Sequence, residues 1–277
     1  MSNYSLDQYD VNGFAVVENF LTEQEADELR QAGLQVCRDA PDDDRKVFGL
    51  HSKEDYYLES ANKLHYFYES EALDKDGNLL VDKMESINKI GHGCHLVNPI
   101  FHKYTFDDRV KKVAKKLGLK KPAVMQSMFI YKNPKIGGYV KQHQDSMYLL
   151  TDPINVTAFW IPTEDATLEN GCVWFVKGSH KNGLLNRFVR NPVPGRGDLC
   201  VYEKPDLNLP KEQYIPCPVK KGSLVVFDGL TIHQSDINRS DKSRYAYTFH
   251  VMETEGTKFL PENWIRLPEG EKFERLY

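Results

Sequence analysis

The sequence predicts a single α+β domain, residues 1–277, with flanking helices around a jelly-roll barrel. Three observations predict it. Capped amphipathic segments precede Ala123, short strand-like runs with glycine turns dominate after it, and no repeat or low-complexity linker divides the chain. A chain of 277 residues is near two average domains but within reach of one large barrel or sandwich. A domain of this size buries roughly 75% of its unfolded surface, so it needs no disulfide or metal for stability.

The elements follow in order. Gly13-Phe14-Ala15-Val16-Val17 is a β-branched and aromatic run of strand type. Thr22-Glu23-Gln24-Glu25 forms a capping box ahead of Ala26, Leu29, Gly33 and Val36 at helical spacing. The acidic stretch from Ala40 to Asp44, with Pro41, places the helix end before it. Strand-like pieces at Leu64–Tyr68 and Leu79–Val81 flank an Asp76-Gly77 turn. A second helix takes Thr105 as its cap, Asp107 and Asp108 at its positive end, and Val110, Val113, Ala114 and Leu117 as its apolar stripe. Gly118 closes it. Its Lys111, Lys112, Lys115 and Lys116 face reads as solvated, with an anionic-ligand patch as the sharper alternative. Beyond Ala123 the strand candidates are Val124–Tyr131, Tyr139–His143, Val156–Ile161, Cys172–Val176, Ser223–Phe227 and Tyr245–Val251. Gly137-Gly138, Asn170-Gly171 and Asp228-Gly229 serve as turns among them.

Composition excludes several classes. Hydrophobic content of 40% with 12% aromatics is incompatible with intrinsic disorder. Thirty-six basic against 40 acidic residues, net −4, give no reason to expect a nucleic-acid partner. No apolar run approaches the ~20 residues of a membrane span. Met1-Ser2-Asn3-Tyr4 lacks a basic, apolar secretory start, so a soluble cytoplasmic protein is expected. Five cysteines without a C-x-x-C pair read as idle reduced thiols rather than a disulfide framework or zinc site.

Chemistry concentrates in His143-Gln144-Asp145, the distant His233, and Arg244 eleven residues after it. Positions two apart on a strand face one side, so His143 and Asp145 point together into a barrel. Two imidazoles and a carboxylate on one face leave the opposite face of an octahedral iron(II) open, the arrangement of non-haem oxygenases. The bland alternative is a His–Asp hydrogen bond at a strand end. Arg244 has a physical reason to be present. A keto acid chelating iron leaves a second carboxylate several ångströms away, which a guanidinium holds with two charge-assisted bonds. A strand beginning at Arg244, beside the one that follows or carries His233, aims it into the same barrel. The bland alternative pairs Arg244 with surface Asp236 or Asp241. Ser235, two residues past His233, either adds a hydroxyl on the same side or is a turn residue.

With Thr167-Leu168-Glu169-Asn170-Gly171-Cys172, Gly178-Ser179-His180 and Ser86-Ile87-Asn88-Lys89-Ile90-Gly91-His92, these residues resemble the phytanoyl-CoA dioxygenase family from about Leu6 to Val251. The resemblance implies a double-stranded β-helix, cupin-like fold, iron(II), 2-oxoglutarate and O2. It assigns metal to His143, Asp145 and His233, and 2-oxoglutarate contacts to Lys89, Met128, Trp160, Ser235 and Arg244. Without it, Met128 and Trp160 would read as core and Lys89 as surface. It makes His180 a supporting loop residue, and His92, His95, His102 and His250 receive only packing or surface roles. Lys177 stands where related enzymes often carry proline, which touches loop shape near the barrel mouth. The end Arg275-Leu276-Tyr277 differs from a peroxisomal Ser-Lys-Leu signal, so the substrate of the family's peroxisomal member is not transferred by name.

The expected activity is oxidative decarboxylation of 2-oxoglutarate to succinate and CO2, coupled to hydroxylation of a small-molecule substrate. An acyl-CoA-like substrate is an analogy that the lysine face supports only faintly. The principal alternative is a jelly-roll module that binds metal and 2-oxoglutarate without oxidising anything. Asp145 fills the position an iron halogenase leaves to chloride, and no hydrolytic base stands beside the triad for a zinc hydrolase.

Overall fold

Helix Glu23–Arg38 begins where the sequence places it. Thr22 Oγ1 accepts from the Glu25 amide at 3.2 Å while Glu25 Oε2 accepts from the Thr22 amide at 2.8 Å. The computed structural model describes residues 6–42, 45–47, 55–193 and 198–277; Met1–Tyr4 and the acidic Asp43-Asp44 of the sequence reading lie outside them. No helix among the described residues is long and apolar enough to cross a membrane.

The early strands are β1 (Phe14–Val17), β2 (Lys46–Val47), β3 (Leu64–Tyr68) and β4 (Ile87–His92). They are followed by β5 (Pro122–Lys132), β6 (Val140–His143), β7 (Thr151–Asp152), β8 (Val156–Pro162) and β9 (Val173–Phe175). The remainder are β10 (Phe188–Arg190), β11 (Cys200–Tyr202), β12 (Ile215–Cys217), β13 (Leu224–Asp228), β14 (His233–Ser235), β15 (Arg244–Glu253) and β16 (Lys258–Phe259). One sheet runs β1-β13-β8-β15-β5-β4-β3-β2 and a second runs β12-β9-β14-β6. Phe14 of β1 stacks on Phe175 of β9 at 4.3 Å, and Phe175 meets Phe227 of β13 at 5.2 Å, so the two sheets pack face to face.

The large sheet is buried on both sides, and strand alternation decides which side chain goes where. On β15, Tyr245, Tyr247, Phe249 and Val251 join the core beneath the helices, whereas Ala246 joins the core between the sheets. The same split puts Phe159 and Ile161 of β8 on the helix side and Ala158 and Trp160 on the other. Helix Glu23–Arg38 approaches so closely that a Cβ on Gly33 would meet the Phe129 ring at 2.4 Å, and Tyr131 Oη donates to the Gly33 carbonyl at 2.6 Å. Only glycine fits that crossing.

Several expectations need correction. The helix Asp108–Lys116 is capped by Asp107, whose side chain accepts from the Arg109 amide; Thr105 instead ends a preceding helix, Pro99–Thr105, that the sequence reading missed. Asn98 caps that earlier helix and Pro99 opens it, a short signal overlooked beside the longer lysine-rich pattern. Leu79–Val81 is no strand, since Leu79 makes only an isolated bridge to Leu73. All five cysteines are free and buried.

Arg109 ties the two helices together by donating to Glu25 from Nη1 and Nη2, each at 2.8 Å, and to Asp107. Chiefly through those bonds, the Glu25 carboxyl is held down at about 2. A depressed carboxyl stabilises the fold fully above its ordinary range and loses that contribution as pH falls toward 2. Acid titration of stability should therefore fall more steeply from pH 5 to 2 in wild type than in Arg109→Met. Parallel curves would count against the pair.

Candidate metal centre and adjoining cavity

Two neighbouring strands of the small sheet bring the histidines together. His143 ends β6 and is the register partner of His233 on β14, with their rings 4.1 Å apart. Asp145 is not on the strand, as the sequence reading had it. Gln144 continues the extended backbone and Asp145 opens a single 3₁₀ turn, Asp145–Met147. Gln144 is buried and locks this corner: its amide donates to the Gly183 and Leu230 carbonyls at 2.9 and 2.7 Å, and its oxygen accepts from the Leu185 amide. The two-residue alternation survives the end of the strand, so the carboxylate still faces the imidazoles.

The tautomers are set by the backbone. His143 Nδ1 lies 2.7 Å from the Lys141 carbonyl and His233 Nδ1 lies 2.9 Å from the Thr231 carbonyl. A carbonyl only accepts, so each Nδ1 carries the proton and each Nε2 presents a lone pair. Those Nε2 atoms stand 3.5 and 3.7 Å from Asp145 Oδ1. The three ligand atoms lie within 4.8 Å of one another, the one such group of His, Cys, Asp or Glu found among the described residues. Burial alone would raise the Asp145 carboxyl, but the surrounding imidazoles of His250, His233 and His143 hold it well below the ordinary range. Burial, followed by the neighbouring His143, lowers His233 to about 4. Two unprotonated nitrogens and an ionised oxygen converging without a proton between them suit a divalent iron-type ion.

Arg244 opens β15 in the large sheet, across the core from β14 rather than beside it. Its Nε donates to the Gly171 carbonyl at 3.1 Å and its Nη2 to Ser235 Oγ at 3.4 Å, while Ser235 Oγ itself donates to Gly171 at 2.9 Å. Gly171 adopts φ +86°, and a Cβ there would strike the Asp236 carbonyl at 2.6 Å, so the carbonyl that anchors both residues depends on glycine. The guanidinium lies over Trp160, 5.3 Å from the ring centroid. Burial pulls its pKa down to about 10. Neither surface carboxylate of the bland reading claims it: Asp241 pairs with Lys135 at 3.0 Å and Asp236 with Lys211 at 4.0 Å. Nη1 is buried with no hydrogen-bond partner, a donor that fits the distal carboxylate of a keto acid.

A cavity of about 420 Å³ adjoins the triad and is lined in part by Lys89, Met128, His143 and Asp145. Lys89 is only half-buried by surface exposure, yet it sits 5.9 Å over the Phe67 ring and desolvation pulls its ammonium down to about 7. Trp160, Ser235 and Arg244 form the buried group described above and do not line this cavity. His180 reaches the Asp10 carbonyl at 3.2 Å and takes no part in the metal cluster.

The sequence reading missed other cavity residues. Lys132 is buried, donates to the Gly138 and Asp236 carbonyls at 2.6 and 2.8 Å, and is held far below an ordinary ammonium pKa by burial. Glu69 accepts from Asn88 and the Gly138 amide, with burial raising its carboxyl. His92 and His250, read as packing or surface residues, both line the cavity, and His250 Nε2 lies 3.0 Å from Asp145 Oδ2. Strand alternation counted from Arg244 would have found His250, which lies six residues along the same face.

Comparison with known proteins agrees with this architecture. The family model described as phytanoyl-CoA dioxygenase (PhyH) matches residues 9–246. Phytanoyl-CoA dioxygenase domain-containing protein 1 homolog of Caenorhabditis elegans is 40% identical, covering 98% of this chain and 98% of that protein. Phytanoyl-CoA dioxygenase domain-containing protein 1 of Bos taurus is also 40% identical, covering 100% and 99%. Among solved structures, the epimerase SnoN in complex with Fe3+, alpha ketoglutarate and nogalamycin RO superposes with a TM-score of 0.66 at 14% identity, over 98% of this chain and 96% of that one. At that identity SnoN speaks for the fold alone, whereas full-length relatives and a profile spanning most of the sequence establish ancestry: the chain belongs to the phytanoyl-CoA dioxygenase family.

Proposed function

We propose that this chain is one iron(II)- and 2-oxoglutarate-dependent dioxygenase domain with a double-stranded β-helix, or jelly-roll, core. The strand path supports the architecture: β5, β8, β13 and β15 lie in the large sheet, whereas β6, β9, β12 and β14 make the small one. The observation that carries the function is the pairing of a two-imidazole, one-carboxylate cluster with a buried guanidinium whose Nη1 has no partner.

In this reading His143 and His233 bind iron(II) through Nε2 and Asp145 binds it through a carboxylate oxygen. Their backbone-fixed tautomers leave those nitrogens ready to coordinate without losing a proton. Arg244, supported by Ser235 and Gly171, holds the distal carboxylate of 2-oxoglutarate. Trp160 packs against the guanidinium, and Lys89 and Met128 shape the keto acid's end of the cavity. The bound metal, with 2-oxoglutarate and O2, supplies decarboxylation to succinate and CO2 and hydroxylation of a substrate C–H bond. The barrel contributes orientation and exclusion of water. The substrate is a small molecule, and an acyl-CoA is the analogue suggested by the relatives' names.

The test is direct. Protein loaded anaerobically with iron(II) and 2-oxoglutarate, then exposed to O2, should form succinate above the metal-free background. Tight 2-oxoglutarate binding without succinate, across a panel of small-molecule substrates that includes acyl-CoAs, would replace this reading with the non-oxidising binding module.

A further inference from the structure

We infer that His250, oriented by Gln126, is a positioning residue that occupies one oxygen of Asp145 and so reserves the other for the metal. The inference rests on the metal-site reading above and adds to it two residues outside the ligand set. His250 and Gln126 are register partners on β15 and β5, both buried, and both line the cavity. The Gln126 side-chain amide lies 3.3 Å from His250 Nδ1. With the amide N–H donating, Nδ1 is the acceptor and the ring proton sits on Nε2. That Nε2 is the atom 3.0 Å from Asp145 Oδ2. The opposite tautomer would set a nitrogen lone pair against an ionised oxygen, so the Gln126 contact selects the attractive arrangement.

Asp145 therefore meets imidazoles of two kinds. His143 and His233 send their protons away to backbone carbonyls and present lone pairs to Oδ1. His250 presents its proton to Oδ2. The His250 N–H is not aligned as a hydrogen bond, and Oδ2 has no aligned partner among the described residues, so the contact is the approach of an N–H dipole to a carboxylate oxygen. Division of the carboxylate between a metal-facing and a histidine-facing oxygen follows from these contacts. Outer-shell groups that orient a ligand typically change metal affinity ~10–100-fold when removed.

Cobalt(II) titration of the metal-free full chain, followed by calorimetry and visible absorption, provides the test without relying on turnover. His250→Phe keeps a ring in the cavity wall but removes the N–H. Its cobalt Kd should rise ~10–100-fold, with an altered visible spectrum and an unchanged Tm of the metal-free protein. His250→Gln, which restores a donor, should recover part of the affinity. Wild-type affinity and spectrum in His250→Phe would overturn the positioning role while leaving the metal site standing. Failure of the wild type to bind cobalt(II) would overturn the metal-site reading itself. Should His250→Phe fail to fold, Gln126→Leu leaves the imidazole in place and frees its tautomer. A several-fold weaker cobalt Kd is then expected, and an unchanged one overturns the inference.

Discussion

His233→Ala is expected to reduce metal-dependent succinate formation to the metal-free background while the protein remains folded. The substitution deletes one of three groups whose ligand atoms converge within 4.8 Å. Loss of a direct ligand should exceed the ~10–100-fold cost typical of losing an outer-shell partner. The fold should survive because the surrounding core does not depend on the imidazole. His233 packs beside Phe227 and Phe175, but those rings also contact each other and Phe14. Circular dichroism with a metal titration separates the two effects. Full turnover in a folded His233→Ala protein would remove His233 from the site.

Arg244→Ala should act on the keto acid and spare the metal. If its guanidinium holds the distal carboxylate, truncation leaves that charge unpaired at a cost of ~2–5 kcal/mol, or a rise in the 2-oxoglutarate Kd from roughly 30-fold to several thousand-fold. Iron(II) affinity should be nearly unchanged. Arg244→Lys should rescue in part, since an ammonium retains the charge but not the planar pair of donors. The ligand-free state offers an independent check. Nη1 is buried and unsatisfied there, so Arg244→Met should leave the ligand-free protein as stable as wild type or more so. Unchanged 2-oxoglutarate affinity in Arg244→Ala would defeat the assignment.

What was legible in the sequence depended on how far apart the cooperating residues lie. Helix Glu23–Arg38 was readable because its cap and its apolar spacing are local, and so were β3, β5 and β8, which carry their own hydrophobic pattern. The long β15 was placed within two residues at either end, yet its sheet was misjudged. Arg244 was expected beside His233, whereas the two strands face each other across the core. β14 is three residues of histidine, glutamine and serine, with nothing strand-like to announce it except its partners. His143, Asp145, His233 and Arg244 could be singled out as candidates because the chemistry they suit has a known donor set; the structure clusters the first three and buries Arg244. Lys89, Met128 and Trp160 came from family resemblance alone. Lys132 and Glu69 escaped because their partners are distant in sequence: Arg244 lies opposite Lys132 by strand register, and Glu69 meets Asn88 and Gly138.

The alternation along β15 has a consequence for how such a protein changes over generations. Arg244 and His250 belong to one parity, on the side of the candidate site, and Tyr245, Tyr247 and Phe249 to the other, in the core beneath the helices. A one-residue insertion just after Arg244 would exchange the destinations of the residues beyond it, bringing Tyr245, Tyr247 and Phe249 toward the site and the His250 imidazole beneath the helices. Point substitutions on the cavity parity leave the opposite face in place. The β15–β5 pairing takes up its one register shift only after His250, so the parity that separates the two faces holds from Arg244 to His250.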